Sequence, residues 1–282
     1  MIKKLLATFA LSATIVLPTV SANAANINSA PNRINDMSAL QNGAKLFVNH
    51  CLSCHSATSM RYSKLTEIGL TDEQIEDNLL FTTDKIGEVM DIAMTKEDAA
   101  KWFGAAPPDL SVTARALSEN MGYSGVDYIY SFLRGFYRDA SRPTGWDNLV
   151  FPNVGMPHVL WQSQGARSLE RTVIKEQDQE DGSKAWVRTK SSFDEHGFST
   201  IEAEVLDNYR GDPVDTVKIT PADSSQASAF DNDAADLANF LGWVAEPIQR
   251  FRKQLGIWVV FFLAIFFVVA WRLNSAYWKD VK

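Results

Sequence analysis

The chain has two long apolar segments, one at each end, on either side of a polar and acidic body. The N-terminal segment consists of Lys3 and Lys4, the almost wholly apolar run 5–20, and the small residues Ala22 and Ala24. A positive start, an apolar core and a small-x-small cleavage pattern are the three parts of a secretory signal peptide. We therefore predict a signal peptide over residues 1–24, and an uncleaved N-terminal anchor is the alternative.

The C-terminal apolar segment predicts a membrane anchor. Residues 254–271 carry no charge, and a helix of this length spans about 27 Å, close to the thickness of a bilayer core. We predict a single transmembrane helix over residues 250–273, and a buried helix of a soluble protein is the alternative. Because the signal peptide implies export, we place the body, residues 25–249, in the periplasm and residues 274–282 in the cytoplasm. The chain would thus be a single-pass protein of the bacterial inner membrane.

The two cysteines of the chain lie in the pattern Cys51-x-x-Cys54-His55, which is typical of c-type haem attachment. Two thiols about one helical turn apart can each add to a vinyl group of the same haem, and the next residue can place its imidazole under the iron. A disulfide and a redox-active C-x-x-C are the alternatives, but neither requires the adjacent histidine. We predict one covalently bound haem c. The net charge of −7 argues separately against nucleic-acid binding.

Two apolar stripes with helical spacing are typical of a class I cytochrome c core. They consist of Leu40, Ala44, Phe47 and Cys51, and of Leu237, Phe240, Leu241 and Val244. Gly43 lies beside the first stripe and would let another helix approach closely. Because Pro247 ends the second helix, we predict that the first and last helices of the body cross and close the domain.

Between these helices, the sequence predicts two further helices and an insert. Thr71 and Gln74 have the spacing of a capping box, and residues 124–134 carry an inward apolar stripe that ends at Gly135. Residues 162–229 are polar, with weak alternation at 185–188 and 216–219, which favours a small β-hairpin. The predicted fold class is therefore mainly α, a class I cytochrome c-like haem domain with a polar insert and one C-terminal transmembrane helix.

The haem iron needs a sixth ligand or an open position. Met156 lies between Pro152 and Pro157 in a stiff loop that could hold a thioether at a fixed distance from the iron. His158 is the main rival, while His50 is too close to the attachment site to reach the opposite haem face. The other candidates are Met60, Met90, Met94, Met121 and His196.

Several stretches together resemble the cytochrome c1 family, the haem c subunits of cytochrome bc1 (ubiquinol–cytochrome c reductase) complexes, and the bacterial members in particular. The matching stretches are residues 43–47, 51–55, 60–62, 106–111, 141–146, 151–161 and 243–247. They cover the mature chain from about Ala39 onward, so they are far more specific than the haem-attachment pattern alone. Other members often carry an additional cysteine pair before the last helix, and this chain has none.

The resemblance implies roles for individual residues. It implies that His55 and Met156 are the axial iron ligands, and that the carbonyl of Pro107 or Pro108 accepts the imidazole proton of His55. It also implies that Arg115 neutralises a haem propionate, with an exposed surface arginine as the alternative.

The resemblance further implies an electron relay, which is no enzyme by itself, within a dimeric complex. Electrons would arrive from the Rieske iron–sulfur protein and leave to a soluble cytochrome c, beside cytochrome b in the membrane. The haem c subunit of a membrane oxidase or nitric oxide reductase is the alternative relay, although such subunits typically anchor at their N-terminus. A haem enzyme such as a peroxidase would need an open or displaceable sixth position, and the haem motif argues against a purely structural subunit.

An acidic stretch over residues 67–98 contains ten carboxylates, which only Lys85 and Lys96 offset after residue 67. On charge alone such a stretch is more often a solvated helical face. The sharper hypothesis is that these carboxylates steer a basic soluble cytochrome c toward the haem edge.

Overall fold

The computed structural model describes residues 27–118, 122–179 and 183–279. The helices in this part of the chain are α1 (Met37–His50), a 3-10 helix (Tyr62–Ile68), α2 (Asp72–Asn78), α3 (Lys96–Phe103), α4 (Thr113–Ala116), α5 (Gly125–Arg134), α6 (Trp161–Gln164), α7 (Ser224–Ala245) and α8 (Gln249–Tyr277). The strands are β1 (Ala57–Arg61), β2 (Val89–Met90), β3 (Phe136–Arg138), β4 (Trp146–Asn148), β5 (Arg167–Asp178), β6 (Lys184–Phe193), β7 (Ser199–Leu206) and β8 (Val214–Pro221). The predicted signal peptide lies outside the described residues.

Helices α1 and α7 cross at Gly43, as the apolar stripes predict. A Cβ atom on Gly43 would lie 2.5 Å from the Cβ of Phe240 and closer still to the carbonyl oxygen of Asp236, so only glycine fits this crossing. The rings of Phe47 and Phe240 meet beside it, with their centroids 5.8 Å apart. This contact joins the two ends of the domain and forms the centre of its core.

The two helices predicted between them are also present. Thr71 and Gln74 form a reciprocal capping box at the start of α2, where each side chain accepts a hydrogen bond from the other residue's backbone N–H. Ser124 caps α5 in the same way, and α5 ends at Gly135. Helix α5 approaches α4 so closely at Gly125 that a Cβ there would overlap the carbonyl oxygen of Ala114.

The insert is larger than the predicted hairpin. Strands β5 to β8 form one antiparallel sheet in the order β7-β6-β5-β8. The two alternating stretches, 185–188 and 216–219, lie on β6 and β8, which do not pair with each other because β5 lies between them. Strand β5 carries six charged residues among twelve, and this hides its alternation, whereas β7 alternates apolar residues with glutamates over residues 201–205 but was not predicted as a strand. The ring of Phe193 packs on that of Tyr137 at 4.8 Å and fastens the sheet to the body.

Helix α8 is long and apolar enough to cross a membrane, and its most apolar window has a mean hydropathy of 2.4. No side chain of this helix is buried against the body within the described residues. It begins four residues after α7 ends, directly behind Pro247, so the body and the membrane helix are closely connected.

Candidate haem site

The haem-attachment motif follows directly from the end of α1. The backbone turns sharply here, because the N–H groups of Cys54 and His55 both donate to the carbonyl of Cys51, at 3.0 and 2.8 Å. The turn brings the two thiols and the imidazole into one short loop at the surface of the core. Helix α1 is itself fixed by its crossing with α7, so the motif has a rigid support.

The thiol of Cys51 is buried, and burial raises its pKa to about 12. Redox-active C-x-x-C motifs need the opposite, because a lowered thiol pKa supplies the attacking thiolate. The electrostatics of Cys51 therefore count against the redox alternative. Within the described residues Cys51 and Cys54 are both free thiols.

The imidazole of His55 is oriented by a backbone carbonyl. Its Nδ1 lies 2.7 Å from the carbonyl oxygen of Pro108. Since a carbonyl can only accept, Nδ1 carries the proton and Nε2 is left with a free lone pair for a metal. Burial lowers the pKa of His55, which favours this neutral form. Of the two prolines that the resemblance offered, the structure brings Pro108 to the histidine.

Asp109 fastens the loop that contains Pro107 and Pro108 to strand β1. Its carboxylate accepts hydrogen bonds from the backbone N–H and hydroxyl of Thr58, both at 2.9 Å, and from the backbone N–H of Ser111 at 2.8 Å. Although burial raises the pKa of Asp109, these hydrogen bonds hold it below its usual value. The carboxylate thus stays charged and keeps the neighbouring carbonyl of Pro108 in place.

Met156 lies half-buried in the loop between β4 and α6. It packs against the cluster of Phe136, Trp146 and Val154. Its rival His158 is 3% exposed, stacked flat on the ring of Phe136 with the centroids 4.6 Å apart. Burial, followed by the charge of a neighbouring arginine, lowers the pKa of His158 to about 3, so it is a neutral core side chain. The structure therefore leaves the thioether nearer the surface than the imidazole.

The remaining ligand candidates have other surroundings. Met60 and Met90 are buried in the main core, where they act as packing, and Met94 is half-buried before α3. His50 forms the last turn of α1, and His196 is exposed at the sheet. Met121 lies outside the described residues.

Arg115 is exposed on α4 and lines a cavity of about 810 Å³ at the head of α8. Glu246 and Arg250 line the same cavity, and the charge of Arg115 contributes to the lowered pKa of Glu246, behind the larger effect of the hydrogen bond from Arg252. The role of Arg115 toward a haem propionate stays a prediction.

The acidic stretch is largely exposed to solvent, and one of its residues contacts the chain next to the motif. Nine of its ten carboxylates are exposed: Glu67, Asp72, Glu73, Glu76, Asp77, Asp84, Glu88, Asp91 and Glu97. Asp91 accepts a hydrogen bond of 2.7 Å from the hydroxyl of Ser56, the residue that follows His55. We call these nine residues the acidic surface.

Two buried polar residues near Met156 escaped the sequence analysis. Asp147 and Asn148 lie on β4 and bond to the backbone of the Met156 loop. The available signal was local, because adjacent Asp and Asn residues among turn-forming residues commonly bond to their own backbone. That signal does not show burial.

Together these residues fit a c-type haem. Two thiols, an imidazole whose Nε2 has a free lone pair, and a partly exposed thioether are the donors that such a haem takes. The backbone carbonyl of Pro108, which orients the imidazole of His55, is also in place.

Comparisons with known proteins show the family. The profile of the Cytochrome C1 family matches residues 29–185 and 211–281. The chain is 35% identical over 280 residues to cytochrome c1 of Allochromatium vinosum, covering 99% of both chains. It is 34% identical to a protein of Nitrosomonas europaea named ammonia monooxygenase gamma subunit, covering 97% of both. It is also 27% identical to cytochrome c1 of Rhodospirillum rubrum, covering 88% of this chain and 83% of that one.

Proposed function

The chain belongs to the cytochrome C1 family, and from this premise we propose that it passes single electrons within a membrane-bound quinol–cytochrome c reductase. It is a haem c electron-transfer subunit of the cytochrome bc1 complex, and it carries a covalently bound haem c. The observation that carries the residue assignment is the contact between His55 and Pro108, which prepares Nε2 for the iron.

We assign the binding residues as follows. The thiols of Cys51 and Cys54 attach the haem, and His55 and Met156 are its axial ligands, while the negative charge of the propionates is met by Arg115. The bound haem supplies reversible one-electron chemistry. With both axial positions taken by this chain's own residues, no substrate can bind, and a thioether ligand favours the reduced state. The chain by itself is then a relay rather than an enzyme.

The partners follow from this role. We propose that the chain receives electrons from the Rieske iron–sulfur protein and passes them to a soluble cytochrome c. Cytochrome b lies beside α8 in the membrane, and the whole complex is dimeric. The body lies in the periplasm, α8 spans the inner membrane, and the last residues remain in the cytoplasm. The likeness of the body to class I cytochromes c rests on α1, α7 and the attachment motif.

One purification tests this assignment. The chain, tagged at its C-terminus and extracted in detergent from its own membranes, should bring with it a b-type cytochrome and an iron–sulfur protein. The purified material should reduce a soluble cytochrome c with quinol as the donor. Purification with oxidase subunits would support the oxidase alternative, which neither the family match nor the relatives favour. Purification with monooxygenase subunits would contradict the proposal in favour of the assembly named for the Nitrosomonas relative.

The acidic surface is the proposed docking site for the soluble cytochrome c. Its carboxylates are exposed to solvent, and one of them, that of Asp91, accepts a hydrogen bond from Ser56, the residue that follows His55. A patch of one sign mainly raises the association rate of an oppositely charged partner, and its reach falls from about 30 Å at 0.01 M salt to about 10 Å at 0.1 M. Electron transfer to a basic acceptor should therefore slow steeply over this range.

A triple substitution tests the docking site. Changing Glu73 and Glu76 to Gln and Asp77 to Asn removes three exposed charges from α2 and should flatten the salt dependence while the haem potential stays the same. The matched control removes three exposed carboxylates from the insert, Glu202, Asp207 and Asp212. If the control flattened the dependence and the α2 variant kept it, the insert rather than the acidic surface would be the docking site.

A further inference from the structure

Asn148 holds the first part of the loop that leads to Met156. Its side chain is 1% exposed, and its Oδ1 accepts hydrogen bonds from the backbone N–H groups of Val150 at 2.8 Å and Phe151 at 3.1 Å. Its amide nitrogen donates to the carbonyl of Phe132 at 2.7 Å, which ties the loop to the end of α5. This one side chain thus replaces several hydrogen bonds that a regular element would supply.

Asp147 holds the middle of the same loop. It is 2% exposed, and its Oδ1 accepts from the backbone N–H groups of Asn148 at 2.8 Å and Asn153 at 2.7 Å. Its Oδ2 lies 2.6 Å from a guanidinium nitrogen of Arg142. A buried carboxylate is costly unless it is paired and hydrogen-bonded, and here both oxygens are used. Asn153 has a φ of +63°, a left-handed conformation that this residue type tolerates better than most.

The chain is fixed again just after Met156. His158 stacks on Phe136 and meets the edge of Trp146, with ring centroids 4.8 Å apart. Met156 therefore lies three residues after one fixed point, the N–H of Asn153, and two residues before another, the ring of His158. Pro157 removes further freedom between them.

We propose that Asp147 and Asn148 are positioning residues that hold the thioether of Met156 in place as the sixth ligand. This inference rests on the proposed ligand role of Met156. The two side chains do not touch the haem in this scheme. They act through the backbone of residues 150–153, and the position of this backbone determines where Met156 lies. A loop without these bonds would release its thioether more often, and an outside ligand would then reach the iron.

The test uses the full-length ferric holoprotein in detergent, with Asp147→Ala as the main variant. Two properties are measured well below the unfolding temperature: the methionine-to-iron charge-transfer band, and the affinity for added imidazole. Hydrogen bonds to a charged group are worth enough to change the ligated-to-open ratio by about ten- to a hundredfold. We expect imidazole to bind tighter by that factor and the band to weaken.

Asp236 provides the matched control. It is also a buried carboxylate bonded to an arginine, since Arg33 lies 2.7 Å away, but it is on α7 and has no contact with the Met156 loop among the contacts described. Asp236→Ala should lower the unfolding temperature while the band and imidazole affinity remain those of the parent. A role of Asp147 in stability alone would make the two variants behave alike, and that result would overturn the proposal.

Three further variants complete the experiment. Asp147→Asn keeps an oxygen acceptor for the loop and should fold if Asp147→Ala does not, with an increase in imidazole affinity of at most about tenfold. If the single variants Asp147→Asn and Asn148→Ala both kept the imidazole affinity of the parent, the proposal would be refuted. Met156→Leu separates this failure from a wrong ligand assignment. If Met156→Leu itself kept the charge-transfer band, the ligand proposal would fail, whereas loss of the band only in Met156→Leu would contradict the positioning role alone.

Discussion

Gly43→Ala should destabilise the protein, although alanine is the better helix former. The added Cβ would lie 2.5 Å from the Cβ of Phe240 and would also meet the carbonyl group of Asp236, where ordinary contacts begin at 3.4 Å. Helices α1 and α7 must then separate by about 1 Å, since neither obstacle is a flexible side-chain end. Overpacking of this kind costs about 1–3 kcal/mol, against a gain of about 1 kcal/mol in helix propensity.

Because the obstacles here are a backbone carbonyl and a Cβ atom, we place the cost in the upper half of that range, at about 2–3 kcal/mol. The net loss of about 1–2 kcal/mol then corresponds to a fall of about 2–8 °C in Tm for a domain of this size. Thermal unfolding of the detergent-solubilised holoprotein, followed by circular dichroism, measures it. Gly256→Ala is the matched control, because nothing lies within 4 Å of the added Cβ on this helical glycine of α8. An unchanged or higher Tm for Gly43→Ala would refute the reasoning that close packing at this crossing outweighs helix propensity.

Other substitutions have equally definite expected outcomes. Cys51→Ala with Cys54→Ala should leave no haem that survives acid-acetone extraction, and persistence of covalent haem would contradict the attachment site. Met156→Leu should keep the haem attached, lower its potential by a large amount and abolish quinol–cytochrome c reductase turnover; an unchanged potential would move the ligand assignment elsewhere. A stop codon before Gln254 should give a soluble haem protein with a normal spectrum but poor assembly into the membrane complex. Thr71→Ala should cost about 1 kcal/mol in denaturant unfolding through loss of the α2 cap, with the haem spectrum unchanged.

Helices α1, α2, α5, α7 and α8 could be predicted from the sequence because their signals are local, whereas the 3-10 helix and the short helices α3, α4 and α6 were not predicted. A capping box needs only two residues three positions apart, as at Thr71 and Gln74, and an apolar stripe needs only one helix. Gly43 gave more, since a glycine beside such a stripe indicated where another helix could approach closely. The haem motif was equally local, because its three donors are adjacent in the chain.

What the sequence left open depends on contacts between distant residues. Met156 and His158 are two positions apart, and the sequence favours Met156 only through its stiff proline-flanked loop. The stacking of His158 on Phe136, which makes it a core side chain, depends on a distant residue and could not be predicted. Asp147 looks like a surface residue, and its burial appears only when Arg142 and the loop fold around it. The sheet was underestimated because the many charges of β5 weaken its period-two signal, and because the short alternating run 201–205 of β7 was not predicted as a strand.

The link between α7 and α8 has a mechanical consequence. Only residues 246–248 separate the two helices, and even fully extended they reach no more than about 11 Å. Arg252 in the first turn of α8 also bonds back to Glu246, at 3.0 Å for one of its nitrogens. Because α1 is packed against α7, the attachment motif is held at a nearly constant height above the bilayer. The haem domain can therefore not move far from the membrane helix, so any proposed redox partner has to come to it.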